Sequence, residues 1–252
     1  MKTITLNATV TASNDKDAEV LRLRLREAGT LLVNVMSSPG AGKTTLLSRL
    51  IQDLKDVKIA VMEADIASDV DAKRIEALGA KSIQVHTSGM CHMDAGMTAA
   101  ALEALGQNLS CSAHNLPCSQ GRGTSLKAGG GVKAGGGVPS DFDLIFLENV
   151  GNLICPAEYD TGAALNLMLL SVPEGDDKPL KYPLMFQKSD ALIITKTDTL
   201  AYFDFDLSKC EARAKKLNPS IQIFPVSAKT GEGMDRLEKW LEAHRAVFAG
   251  KK

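Results

Sequence analysis

Aromatic residues make up only 4% of the 252-residue sequence, with a single Trp, too few for the repeated stacking platforms of a single-stranded nucleic-acid binder. An excess of either charge is missing too. The 29 Lys and Arg residues face 30 Asp and Glu, a formal net charge of −1, which argues against nucleic acid as a partner held by a dominant basic face. No apolar run reaches the ~18–20 residues of a membrane span. The opening segment Met1-Lys2-Thr3-Ile4-Thr5-Leu6 lacks the apolar stretch of a secretory signal, so the expected location is the cytoplasm. Five Cys residues are an odd number in so long a chain, and a disulfide framework is not expected. The thiols are left for catalysis, metal binding or plain burial. The length suits one large α/β domain or two small ones and is ample for a core.

What is present is a rhythm. Asp15 to Ala28 reads as a helix, with Asn14 or Ser13 as its cap and Gly29 as its end. Leu31-Leu32-Val33-Asn34-Val35-Met36 is a nearly continuous apolar run, the mark of a strand covered on both faces. Further strands are expected at Lys58–Met62, Ser82–His86, Asp143–Leu147, Ala191–Ile194 and Ile221–Val226. Helices are expected at Thr44–Leu54, Ala67–Leu78, Asp94–Leu105, Ser208–Leu217 and Gly233–Phe248. Strand and helix in alternation predict an α/β fold: a mostly parallel sheet flanked by helices, with ligands at the carboxyl edge of the strands. Residues 1–30 are expected to be an N-terminal helical extension and 31–250 the main domain. Gln107–Ser140 breaks the rhythm. It holds eight of the 21 Gly, no aromatic and no acid, and repeats Lys-Ala-Gly-Gly-Gly-Val at 127 and 133. Such a composition buries too little apolar surface to offset its ordering entropy, so a flexible Gly-rich insertion is expected there.

Ser38-Pro39-Gly40-Ala41-Gly42-Lys43-Thr44-Thr45 follows the first strand and opens a helix, which is the context a phosphate loop requires. Backbone amides of Gly40 to Thr45 can curl around phosphate oxygens, Lys43 can bridge the β- and γ-phosphates, and the Thr44 hydroxyl suits Mg²⁺. The loop pattern wants Gly at position 37, where this chain has Ser37. Glu63-Ala64-Asp65 and Glu148 end neighbouring strands beside this loop, so Asp65 and Glu148 join Thr44 as candidate Mg²⁺ ligands. Lys43, Asp65 and Glu148 are the candidate catalytic residues. Gly151, just after Glu148, suits a turn that senses the terminal phosphate. Thr195-Lys196-Thr197-Asp198 resembles the Asn-Lys-x-Asp guanine motif of GTPases, with Thr195 in place of Asn. Asp198 can accept from guanine N1–H and N2–H₂, a donor pair adenine lacks. Ser227-Ala228-Lys229 then follows the last strand, as the Ser-Ala-Lys element of GTPases does. GTP or GDP is therefore the expected nucleotide.

Two further loops carry metal-ligand chemistry. Cys91 and His92 follow the third strand, and Cys155 follows the fourth, seven residues after Glu148. Both loops should emerge on the nucleotide edge, where thiolate and imidazole would suit Ni²⁺ or Zn²⁺. Cys111, His114 and Cys118 fall in the insertion, with exposed thiols as the default. Cys210 reads as helix packing, and His86 and His244 as structural or solvated.

Together, Ser37-Ser38-Pro39-Gly40-Ala41-Gly42-Lys43-Thr44, Met90-Cys91-His92-Met93-Asp94-Ala95, Glu148-Asn149-Val150-Gly151-Asn152-Leu153-Ile154-Cys155-Pro156 and the run from Glu174 to Phe186 resemble the hydrogenase nickel-incorporation GTPases, the HypB family. The resemblance runs from about Ala18 to the C-terminal helix and omits Gln107–Ser140. It implies a P-loop NTPase of the SIMIBI type that dimerises with nucleotide. It also implies that nickel passes to the immature large subunit of [NiFe]-hydrogenase, with a small HypA-type nickel-binding accessory protein as partner. The family's metal ligands fall on Cys91, His92 and Cys155, and its nucleotide residues on Gly40 to Thr45, Lys196 and Asp198. An N-terminal Cys-rich nickel motif and a His-rich storage tract, which some relatives carry, are absent from this sequence.

Overall fold

The computed structural model describes residues 7–64, 69–87, 89–106 and 138–250. Among these residues are seven strands: β1 (Leu31–Ser37), β2 (Ile59–Glu63), β3 (Lys81–Gln84), β4 (Leu144–Glu148), β5 (Leu165–Ser171), β6 (Ala191–Thr195) and β7 (Gln222–Pro225). All neighbours pair in parallel, in the order β3-β2-β4-β1-β5-β6-β7. The sheet is the one the apolar runs anticipate, apart from one strand. β5 was not expected between Cys155 and Ala191, yet it pairs with β1 in the middle of the sheet. Its connection from β4 holds only the short helix α5 (Cys155–Glu158), so the helical punctuation that flags the other strands is missing.

Alternation along β1 sends Leu31, Val33 and Val35 to one face. There they meet α2 (Lys43–Asp53) through Leu46, Leu47 and Leu50, and α9 (Met234–Phe248) through Leu237 and Leu241. Ile75 of α3 (Asp69–Ala77) joins the same core. Leu32 faces the other way, toward Leu21 and Leu25 of α1 (Asn7–Ala28) and Leu102 and Leu105 of α4 (Ala95–Gly106). Beyond β1, the same second layer continues with α6 (Lys178–Lys181), α7 (Pro183–Lys188) and α8 (Leu207–Leu217), where Met185, Phe186 and Ala214 pack beneath β5 and β6. Leucine-sized side chains buried on both faces each contribute about 1.5–3 kcal/mol relative to exposure, which fixes the layer order.

Three expectations need correction or bounds. The first helix starts at Asn7, so Ser13 and Asn14 lie inside it rather than capping it. Asn14 spends its side chain on tertiary contacts described below. The insertion expected at 107–140 lies outside the described residues as far as 137, together with Cys111, His114 and Cys118, and Asp65 lies outside them too. Among the described residues no helix is long and apolar enough to cross a membrane.

Gly233 marks the most constrained turn. It sits at φ 74°, and a Cβ there would stand 2.2 Å from the Pro225 carbonyl oxygen, against rigid backbone at the end of β7. Gly233→Ala is expected to cost about 2–3 kcal/mol through strain and displacement, read as a lower urea midpoint at unchanged m-value.

Candidate functional site

Every candidate residue within the described part of the chain lies on one edge of the sheet, at or just beyond strand carboxyl ends. The loop after β1 is set by chain geometry: Gly40 at φ 76° and Gly42 at φ 98° occupy the left-handed region that only glycine enters without strain. Left-handed turns opening onto a helix start are the backbone geometry that anion-binding loops use. Ser37, at the position where the loop pattern asks for Gly, is fully buried. Its hydroxyl accepts from Lys43 Nζ at 3.2 Å and donates to the Ser38 carbonyl at 2.6 Å. The departure from pattern is thus an added hydrogen-bonding group under the lysine. Lys43 is itself only 5% exposed.

The Thr44 hydroxyl donates to Glu148 Oε1 at 3.3 Å. Glu148 is buried at the end of β4, in register with Val35 and with Glu63 of the flanking strands. A threonine hydroxyl and a carboxylate oxygen meeting beside a phosphate loop are the hard oxygen donors Mg²⁺ takes, so the residues present fit that ion. Glu63 points to a different task. Its Oε1 accepts from Ser82 at 2.8 Å. Burial pushes its carboxyl above the ordinary range, the Ser82 hydrogen bond opposes that, and the negative charges of Asp71 and Glu76 add to it.

The base-recognition elements are tied to the phosphate loop. Thr195 donates to the Ala41 carbonyl at 2.7 Å and Lys196 Nζ to the Gly40 carbonyl at 2.8 Å. Thr195 therefore serves the loop where the guanine motif has Asn. Lys196 sits at φ 60°, the only non-glycine residue at positive φ among those described, a conformation that costs about 1–3 kcal/mol and is held by its surroundings. It turns the chain into a 3₁₀ turn carrying Asp198. Ser227 donates to Asp198 Oδ1 at 2.7 Å, so the Ser227-Ala228-Lys229 element braces the aspartate. Thr45 follows Thr44 in the first turn of α2.

The two cysteine loops also meet. Cys91 Sγ and Cys155 Sγ lie 2.7 Å apart as free thiols, and Asn152 Nδ2 approaches Cys155 Sγ at 3.5 Å. The hydrogen bond with Cys91, then burial, then the negative charges of Cys91 and Glu158 push the Cys155 thiol up, against a lowering contribution from Asn152. A tetrahedral ion with metal–sulfur bonds near 2.3 Å would hold the sulfurs about 3.8 Å apart, so metal entry needs the pair to open by about 1 Å. His92 joins the thiols less closely: its Nδ1 is 4.0 Å from Cys91 Sγ. The ring is stacked on Tyr159 with centroids 3.8 Å apart, and Nε2 is buried without a hydrogen-bond partner among the described residues. Burial pulls the His92 pKa down, against the raising influence of Asp94 and Glu158. Among the described residues no three His, Cys, Asp or Glu side chains close into a complete cage. Cys210 is fully buried in α8, its thiol pushed to about 12 chiefly by burial, as expected for packing.

Sequence reasoning missed the asparagines beneath this edge. Asn149 Nδ2 donates to Asn34 Oδ1 at 3.0 Å, and Asn34 Nδ2 to Asn166 Oδ1 at 2.9 Å. Asn149 Oδ1 accepts from the Met93 and Val150 amides at 3.2 and 2.9 Å. The signals available were Asn34 and Asn166, each the lone amide of an otherwise apolar run, since a buried amide needs partners.

A family described as CobW/HypB/UreG, nucleotide-binding domain, matches residues 31–225. The hydrogenase maturation factor HypB of Rhizobium leguminosarum bv. viciae is 40% identical over 94% of this chain and 70% of its own length. The hydrogenase/urease maturation factor HypB of Helicobacter hepaticus is 37% identical over 97% of this chain and 89% of its own. The crystal structure of HypB from Helicobacter pylori in complex with nickel superposes with a TM-score of 0.77 at 36% identity, covering 93% of this chain and 95% of that one. The phosphate loop, the braced aspartate and the paired thiols thus sit on a chain matched over more than nine-tenths of its length by these proteins, and the chain belongs to the CobW/HypB/UreG family, in its HypB branch.

Proposed function

We propose that this protein is a GTPase that delivers nickel during [NiFe]-hydrogenase maturation, with the terminal phosphate of the nucleotide controlling a thiol metal site. One observation carries the reading: Thr44 of the phosphate loop contacts Glu148, and seven residues of chain lead from Glu148 to a cysteine already against Cys91. Nickel is the cargo, and the maturation factors named above are the relatives that support it. The hydrogenase/urease name of the Helicobacter hepaticus relative supports a second client class, urease, for the same chemistry.

Amides of Gly40 to Thr45 and the Lys43 ammonium bind the phosphates, while Asp198, held by Ser227, reads the guanine edge and Lys196 lies along the base. Thr44 and Glu148, with Asp65, would hold Mg²⁺, which would supply positive charge against the charge developing on the transferred phosphate. Nucleotide entry replaces the Thr44–Glu148 contact, and the shift passes along residues 149–155 to Cys155. The metal affinity then differs between the two nucleotide states, and that difference is the whole coupling. Two thiols and a histidine are an incomplete set, which a second copy around a twofold axis would complete with Ni²⁺ or Zn²⁺ between the subunits. Ile154, Leu180 and Leu184 leave exposed apolar side chains on α6, α7 and the turn into α5, and α5 packs against α7, which supports such a dimer face. A HypA-type nickel protein and the hydrogenase large-subunit precursor are the proposed donor and acceptor, in the cytoplasm.

No glutamine or arginine finger stands out in the sequence, so unassisted turnover is expected to take minutes or longer. The test is the product. Incubation with GTP and Mg²⁺ is expected to release inorganic phosphate and GDP, with ATP left intact. A phosphorylated small-molecule acceptor in place of free phosphate would make the protein a kinase and overturn the reading.

A further inference from the structure

The thiol pair is assembled from two segments far apart in sequence, 91–95 and 149–160, and each is fastened at several points. Asn149 Oδ1 ties the start of the second segment to the first by accepting from Met93 N. The His92 ring stacks on Tyr159 midway. The far end is closed by α1: Asn14 Oδ1 accepts from Ala95 N at 2.9 Å, and Asn14 Nδ2 donates to the Asp160 carbonyl at 2.8 Å. One side chain thus spans both segments, using both ends of its amide. Arg22, two turns further along α1, holds the same place from the side, with Nη2 at 2.8 Å from both Asp160 carboxylate oxygens and Nε at 3.0 Å from the Ala163 carbonyl. Ala18, Leu21 and Leu25 anchor the helix in the core, so its polar face is a fixed platform. α1 precedes the residues the family description covers, and nothing in the nucleotide chemistry requires it.

We infer that Asn14 is a positioning residue of the metal site: through α1 it sets the register of the segment carrying Cys91 against the segment carrying Cys155, and thereby the distance between the two thiols. The inference rests on reading that pair as the nickel ligands, but the holding of the thiols has its own readout. Removing Asn14 leaves α1 anchored by its apolar side chains and Asp160 held by Arg22, and cuts the link that joins Ala95 to Asp160 across the two segments. The thiols then spend less time in contact.

The experiment uses the full chain, freed of metal by chelation, in glutathione buffers. Two thiols lose two electrons and two protons to oxidised glutathione, which leaves as two reduced glutathiones, and peptide mapping reports the fraction of Cys91–Cys155 disulfide. Losing both hydrogen bonds is expected to lower the effective concentration of the pair about tenfold in Asn14→Ala. Asn14→Asp keeps the acceptor for Ala95 N and loses the donor to Asp160, and is expected to fall between wild type and Asn14→Ala. Nickel affinity and the nickel–thiolate absorption should change in the same order, with the thermal midpoint shifted by only a few degrees. An unchanged effective concentration in Asn14→Ala, with that variant folded, overturns the inference. A wild type that binds no nickel, together with the tenfold loss in Asn14→Ala, upholds the positioning and sinks the nickel reading instead.

Discussion

Lys43→Ala is expected to weaken GTP binding by about 10²–10⁴-fold, the loss of two charge-assisted hydrogen bonds to phosphate at about 1.5–3 kcal/mol each. The ammonium is 5% exposed and already held by Ser37, so it meets the phosphates pre-aimed and pays little ordering entropy on binding. Alanine removes the charge without touching the amides of Gly40 to Thr45, so residual weak binding is expected, with GDP, which has no γ-phosphate for the lysine to reach, weakened less than GTP. The fold should tolerate it, because a buried ammonium contributes little net stability once its desolvation is counted. Fluorescent-nucleotide titration gives the affinities and circular dichroism the control. Wild-type GTP affinity in Lys43→Ala would remove the loop from the nucleotide site altogether.

Asp198→Asn should move selectivity rather than abolish binding. Ser227 donates to Asp198 Oδ1, and an amide oxygen accepts that bond equally well. The introduced NH₂ is therefore turned toward the base, where it faces the N1–H and N2–H₂ donors of guanine. Xanthine carries a carbonyl at C2 in place of the amino group and accepts from that NH₂. A site built for donors rejects an analogue lacking them by about 10⁴–10⁵, and most of that range is expected as a swing from GTP toward XTP. Competition titrations with both nucleotides measure it. Unchanged preference for GTP would show that Asp198 does not touch the base.

Contiguous chemistry was legible in the sequence. A buried apolar run ending in Gly-x-Gly-Lys-Thr dictates strand, loop and helix in order, because each residue's role depends on its immediate neighbours. The same holds for Thr195–Asp198 and for Glu148 at the end of β4. The meeting of Cys91 and Cys155 was legible only through topology: parallel strands bring successive loops to one edge. β5 was not legible, since Leu165–Ser171 follows a linker with one turn of helix and the alternation rule had nothing to grip. Nor were Asn14, Asn34, Asn149 and Asn166, which bond one another or α4 across 81 to 132 residues of chain. A lone amide in a sequence gives no direction to its partner, and Asn14 reads as a helix cap because asparagine favours that position.

Nickel titration of the full chain loaded with GDP, and again with a non-hydrolysable GTP analogue, tests whether the phosphate and the thiols sense each other. The affinities are expected to differ about 5–150-fold between the two states, and the difference should vanish in Cys91→Ala and in Cys155→Ala. Equal affinity in both states, with both sulfurs bound to the metal, would contradict the account.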